Sequence, residues 1–281
     1  MLSYQHDYHA GNHADVLKHS VLSLCVRALC RKEKPFRVLD VHAGSGIYDL
    51  RTAEARKNGE FEGGIARVLA APLPPAEARD YLDAVRALNG PAGELNLYPG
   101  SAQVARHLMR AEDQLELLEL HPAALKRLRR NFGRDARVHI HDRNAFEGLP
   151  ALVPPRERRG LVLVDPAYEV KEDFTAVIDL LSTCHRRWSG GVYLIWYPLI
   201  RHPLAERFTA KLRATGLPDI LHAELRVETE GFHGMRGSGL CIVNPPFGLE
   251  QKLKVLVPWL WETLRNDERS GWKVEWLTPP A

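Results

Sequence analysis

Cysteine is scarce in this chain, and its placement is uninformative for metals. Cys25, Cys30, Cys184 and Cys241 form neither the close pairs of a zinc site nor the framework of a disulfide-stapled domain. Free thiols in a reducing, cytoplasmic setting are the expectation. No apolar run reaches the roughly 18 residues that a membrane helix needs, so no membrane association is expected. The opening Met1-Leu2-Ser3-Tyr4-Gln5-His6-Asp7 has no basic stretch followed by an apolar one, and is not expected to be a secretory signal. Two phosphate devices are also missing. There is no Gly-Lys-Ser or Gly-Lys-Thr, and the short run Gly44-Ser45-Gly46 has Asp49 where a dinucleotide fingerprint carries its third glycine. These absences speak against nucleotide triphosphates and against NAD. His6, His9, His13 and His19 crowd the N-terminus, but no His-Glu-x-x-His pattern or third ligand accompanies them, and no metal is expected.

The 281 residues suffice for one large α/β domain or one carrying an insertion, and 45% apolar with 26% charged is the balance of an ordinary globular chain. The net charge is only +3, yet His121 to Gly160 holds ten Lys or Arg against four Asp or Glu, a local excess of +6 (ten minus four). Lys126, Arg127, Arg129, Arg130, Arg134 and Arg137 lead that stretch. They read either as a phosphate-neutralising surface or as a solvated helix face.

Periodicity outlines an alternating β/α chain. Apolar positions from Asp15 to Arg31 predict a helix that buries one face, with Pro35 as its stop. Phe36 to Val41 predicts the first buried strand, and His42-Ala43-Gly44-Ser45-Gly46 its ligand loop. Residues 47–97 interrupt the pattern with helical pieces such as Pro75 to Leu88 and read as an inserted helical subdomain, leaving 1–46 and 98–281 as the main domain. Strands are then expected at Gln114–Leu120, Val138–Ile140, Leu161–Val164, Gly191–Trp196, Ala223–Val227 and Gly239–Val243, with a basic helix over Ala123–Asn131. The result is a seven-stranded, mostly parallel sheet ending in an antiparallel hairpin.

Chemistry gathers at the C-terminal ends of these strands, the edge where open α/β sheets bind ligands. Gly44 and Gly46 let the backbone approach a ligand. Glu119 can accept hydrogen bonds from ribose hydroxyls, and Asp142 or Asn144 can bond an adenine amino group. A nucleoside pocket with no polyphosphate site favours S-adenosylmethionine as the cofactor. The strand Leu161–Val164 runs into Asp165-Pro166-Ala167-Tyr168. There an exocyclic amine can donate to the Asp165 carboxylate and the Pro166 carbonyl while its ring stacks on Tyr168, and Asp165 can take the departing proton. Asn244-Pro245-Pro246-Phe247 also fits an amino-methyltransferase pattern, but it follows the last strand of the hairpin and is read as a decoy.

Leu2-Ser3-Tyr4 together with His9-Ala10-Gly11-Asn12-His13-Ala14-Asp15-Val16-Leu17-Lys18-His19 resembles the start of the RlmJ family of bacterial 23S rRNA adenine-N6 methyltransferases. The likeness continues through Asp40-Val41-His42-Ala43-Gly44-Ser45-Gly46, Tyr98-Pro99-Gly100-Ser101, Glu119-Leu120-His121-Pro122, Asp165-Pro166-Ala167-Tyr168-Glu169, Trp196-Tyr197-Pro198, Gly237-Ser238-Gly239 and Asn244-Pro245-Pro246. It implies a Rossmann-like class I methyltransferase that acts as a monomer on protein-free 23S rRNA, at adenine 2030. By the same likeness His19, His42, Ser101, Glu119, Asn144 and Asp165 line the cofactor site, Asp165 is the catalytic acceptor, Tyr4 meets the RNA, and Lys18 lies near the reaction centre. Two positions depart from the family. Ala167 replaces a second proline, which predicts a less rigid turn, and Asn144 stands where an acid is usual. The competing readings are a methyltransferase for DNA adenine, another RNA or a protein glutamine, and a catalytically silent RNA-binding module.

Overall fold

The computed structural model describes residues 5–90 and 93–280. Eight strands form the main sheet: β1 (Arg37–Asp40), β2 (Gln114–Glu119), β3 (Val138–Asp142), β4 (Gly160–Val164), β5 (Val192–Leu199), β6 (Ile220–Arg226), β7 (Gly237–Val243) and β8 (Gly271–Thr278). Their spatial order is β8-β6-β7-β5-β4-β1-β2-β3. The strands from β3 to β5 pair in parallel, β7 inserts antiparallel between β5 and β6, and β8 closes the edge antiparallel to β6. This is the class I methyltransferase arrangement with one strand added. The central strand β4 is aliphatic and wholly buried, as a strand covered on both faces must be.

The eighth strand corrects the expected seven. Gly271–Thr278 is an edge strand whose Trp272, Lys273 and Glu275 are exposed, so it lacks the buried aliphatic run that betrayed the others. A period-two signal was nonetheless present: Val274 and Trp276, two apart, pack against the core.

The N-terminal helix, His13–Cys30, starts where Asn12 accepts hydrogen bonds from the Ala14 and Asp15 amides at 2.9 and 3.0 Å. It was expected to bury one face. Instead every residue from Ala14 to Val26 is buried, because the sheet lies on one side, the helix Leu249–Leu264 on another, and the 47–97 segment on a third. That segment leaves and rejoins the sheet domain through a small antiparallel ribbon of Ile47–Asp49 with Leu97–Pro99. Its Tyr81, Leu82 and Val85 share one core with Leu17, Val21 and Leu24.

Candidate active site

A single cleft of about 990 Å³ opens along the C-terminal ends of β1, β2, β4 and β5 and extends beneath the N-terminal residues. His19, His42, Gly44, Ser101, Glu119, Asn144, Asp165, Pro166, Tyr168 and Lys18 all line it. Tyr4 lies outside the described residues.

The loop after β1 supplies one wall. Gly44 and Gly46 adopt left-handed backbone angles, φ +59° and +70°. The expected reason for both glycines was room for a ligand, but the reason visible in the structure is internal packing. A Cβ at Gly44 would sit 2.2 Å from the Tyr48 hydroxyl, and one at Gly46 would sit 2.3 Å from the Phe132 ring. The loop is thus packed from below, where the Ser45 N–H also donates to the Tyr48 hydroxyl at 3.2 Å. Gly44 N–H donates to Glu119 Oε2 at 2.8 Å, and His121 N–H donates to Oε1 at 2.6 Å. Each carboxylate oxygen keeps a further lone pair for a hydroxyl. Glu119 therefore both braces the glycine loop and remains able to hold a ribose.

Asp40 and Ser101 sit underneath. The Ser101 hydroxyl donates to Asp40 Oδ2 at 2.5 Å, and His42 N–H donates to Oδ1 at 3.3 Å. Burial pushes the Asp40 carboxyl up to about 6, against these two bonds, which favour its ionised form. A carboxyl raised in this way holds its proton longer in the folded state than in the unfolded one. Its contribution to stability is complete below about 3.9 and is lost as pH rises through about 6. Asp40→Asn is expected to flatten that slope and to gain on the order of 3 kcal/mol relative to wild type at pH 7. Urea unfolding of both proteins from pH 4 to 8 checks this, and parallel pH profiles would refute it.

His42 hangs between the two halves of the site. Its Nδ1 accepts the Asp165 backbone N–H at 3.2 Å, which places its own proton on Nε2. Burial lowers its pKa to about 4, so it is neutral at physiological pH. His19 is neutral for the same reason, pushed down to about 3, and its Nδ1 shares a 2.8 Å hydrogen bond with the Tyr98 hydroxyl. Its 3.9 Å approach to Asp15 is consequently no ion pair at neutral pH.

Asn144 caps the helix Ala145–Leu152, its Oδ1 accepting the Phe146 amide at 2.8 Å. That oxygen accepts one bond and keeps a second lone pair for an adenine amino group, and its amide N–H remains to donate. Ala167 is exposed, so the missing proline removes no buried contact. Tyr168, expected to stack on a target base, is 8% exposed and has φ +51°. Its hydroxyl donates to the Trp196 carbonyl at 2.6 Å, and its ring packs 4.4 Å from Phe174. Fixed in this way, the ring still lines the cleft.

The heart of the site is an ion-pair relay that the sequence reading missed. Lys18 Nζ lies 2.9 Å from Asp15 Oδ1 and bonds directly to Asp165 Oδ2. All three belong to the cleft, and the ammonium also stands 5.8 Å over the Trp196 ring. Burial disfavours a charged lysine, but the Asp15 and Asp165 carboxylates outweigh it and hold the ammonium above the ordinary lysine range. For Asp15, burial raises the pKa while His6 and Lys18 overrule it, and the carboxyl stays well below its usual range. Asp15 and Lys18, three residues apart on one helix, were the available signal.

Two of the N-terminal histidines are partnered by carboxylates: His6 Nε2 meets Asp15 Oδ2 at 2.9 Å, and His9 Nδ1 meets Glu60 Oε1 at 2.7 Å. Among the described residues no group could hold a metal ion. Asn244 lies at the other edge of the sheet, its amide N–H reaching the Gly191 carbonyl, just before β5 begins, at 3.3 Å. It is outside the cleft. Of the basic cluster, Arg127 is not free for phosphate: it braces Ser45 Oγ at 2.8 Å and Asp7 at 2.7 Å. Arg137 is held by Asp135 at 2.8 Å. Lys126, Arg129, Arg130 and Arg134 remain exposed.

A nucleoside-sized wall along β1 to β3 beside a carboxylate at the end of β4 suits a catalyst whose group donor is a nucleoside. This is an S-adenosylmethionine-dependent methyltransferase. The glycine loop and Glu119 suit the ribose, and Asn144 with Phe146 suits the base. Comparison with known proteins narrows the class. The family described as ribosomal RNA large subunit methyltransferase D, RlmJ, matches residues 33–278, and the chain belongs to that family. Ribosomal RNA large subunit methyltransferase J of Escherichia coli K12 is 42% identical over 280 residues, covering 99% of this chain and 100% of the relative. The protein of the same name from Haemophilus influenzae is equally similar, at 42% over 280 residues. Among solved structures, a Legionella pneumophila protein superimposes with a TM-score of 0.88 at 33% identity, covering 95% of this chain and 98% of its own.

Proposed function

We propose that the protein methylates 23S rRNA at the N6 atom of one adenine, adenine 2030 by its resemblance to the family. The observation that carries this reading is Asp165, fixed by Lys18 at the end of β4 on the wall of the cleft, with the Pro166 carbonyl next to it and no described residue donating to that carbonyl. Two adjacent acceptors suit an exocyclic –NH2, which has two hydrogens to donate.

When bound, S-adenosylmethionine supplies a methyl carbon made electrophilic by its sulfonium. The residues of the chain act on the other reactant. The amine lone pair of adenine is delocalised into the ring and makes a poor nucleophile. Hydrogen bonds from N6 to Asp165 and to the Pro166 carbonyl oppose that delocalisation and aim the lone pair. Lys18 cannot serve as the base, because its two carboxylate neighbours keep it protonated. Its task is to hold Asp165 in place. A methylated aminium nitrogen is strongly acidic, so a carboxylate suffices to accept its proton, and Asp165 is the one placed to do so. The donor Nε2–H of neutral His42 remains available to orient an acceptor without adding charge beside the reaction.

Mapping N6-methyladenine across 23S rRNA from cells with and without the protein tests the reading. One adenine that loses its methyl group in the deletion is the expected result, and an unchanged map would refute it. The exposed arginines of the helix Pro122–Phe132 give a second expectation. If Arg129 and Arg130 neutralise RNA phosphates, replacing both with alanine should weaken RNA binding and reduce the slope of log affinity against log salt by about 1 to 2. Unchanged slopes would return that helix face to plain solvation.

A further inference from the structure

The loop between β6 and β7 forms a wall of the cleft that none of the residues discussed so far accounts for. Val227, Glu228, Phe232, Gly234 and Met235 all line the cavity. The foot of the loop is anchored. Val227 and Glu228 amides donate to the Arg236 carbonyl at 2.8 and 3.0 Å, and the Asn266 side chain donates to Glu228 Oε1 at 2.7 Å. Its tip is exposed from Glu230 to Gly234, and it presents Phe232 with 43% of its surface in solvent.

An aromatic ring left wet at the mouth of a catalytic cleft needs a reason, and the backbone beneath it supplies one. Gly234 lies against the Phe232 ring, so that a Cβ there would come 2.5 Å from Cε1. The glycine makes a seat that holds the ring upright and exposed, where a larger residue would displace it. An exposed aromatic ring beside a catalytic cleft is a platform that single-stranded nucleic acid exploits, with a base stacked on the ring.

We infer that Phe232, seated on Gly234, stacks on an unpaired nucleotide flanking the target base. This rests on the reading of the substrate as RNA and identifies a second nucleotide subsite beyond the methylated base. It also supplies an aromatic platform in addition to Tyr168.

The test measures affinity for unmodified 23S rRNA transcript and the kinetics of methyl transfer to it. Phe232→Ala is expected to lower RNA affinity and raise KM for RNA by about tenfold. Phe232→Trp should restore both. Gly234→Ala, which leaves the ring present but unseats it, should fall between them. Phe247, 98% exposed and outside the cleft, provides the control. Its change to alanine should leave RNA affinity where it was. Cofactor affinity, read by calorimetry, is expected to hold in the variants at 232 and 234. Unchanged RNA affinity in Phe232→Ala, or an equal loss in Phe247→Ala, overturns the inference. A wild-type protein that binds the transcript through Phe232 but methylates a different group would refute the proposed reaction and leave this subsite standing.

Discussion

Replacing Asp165 with alanine is expected to lower methyl transfer by about 10²- to 10⁴-fold while the protein stays folded and still binds RNA and cofactor. The size follows from losing an orienting acceptor and a proton acceptor together. Survival of the fold follows from the relay. With Asp165 gone, Lys18 still has Asp15 at 2.9 Å, so its buried ammonium is not orphaned. Asp165→Asn should be milder, since an amide oxygen can still accept from N6. It cannot be neutral, because an amide cannot satisfy Lys18 as a carboxylate does. Single-turnover transfer at saturating RNA, with binding measured separately, checks both variants. Equal transfer by the alanine variant would remove Asp165 from the mechanism.

Lys18→Met should behave quite differently. The lysine side chain is 6% exposed and those of Asp15 and Asp165 are 1% and 18% exposed. Removing the shared cation leaves two carboxylates facing each other across a gap that methionine fills but does not neutralise. Breaking a buried pair in this way costs about 3–5 kcal/mol, much of it the penalty on the abandoned partner. Activity is expected to vanish with it, since Asp165 loses its tether. The double variant Lys18→Met, Asp15→Asn separates the two effects. It removes one abandoned charge and should regain a large part of the stability without regaining transfer. Denaturant unfolding and transfer assays on the single and double variants check this. A single variant as stable as wild type would mean that the relay carries no structural weight.

The contrast between these two substitutions also marks what could be read from the residues in order. Leu161 to Tyr168 announced itself because a wholly buried strand must be aliphatic and because the chain direction then dictates what stands at its end. Glu119 and the glycine loop followed by the same reasoning. Asp15 did not. A carboxylate one turn into an apolar helix looks like an ordinary cap-proximal acid, and only the fold brings Asp165, far along the chain, to the same lysine. A second reason for Gly44 and Gly46, internal packing, was illegible for a similar cause. The rings of Tyr48 and Phe132 that require them come from a ribbon and a helix whose docking no local pattern reveals. The edge strand Gly271–Thr278 was missed because an edge needs only one covered face. The hydrogen bond from Tyr168 to Trp196 and its packing on Phe174 were not legible, because nothing in its neighbourhood of sequence foretells either partner.

The helix His13–Cys30, buried from Ala14 to Val26, carries Asp15, Lys18 and His19 on one rigid body within the hydrophobic interior. Reactivity and folding therefore draw on the same atoms. Heating should silence the enzyme at its melting temperature and not below it, because no part of this floor can loosen while the interior around it stays intact. For the same reason, attempts to retune the acceptor by repacking beneath it will be felt first as lost cohesion and only afterwards as altered chemistry.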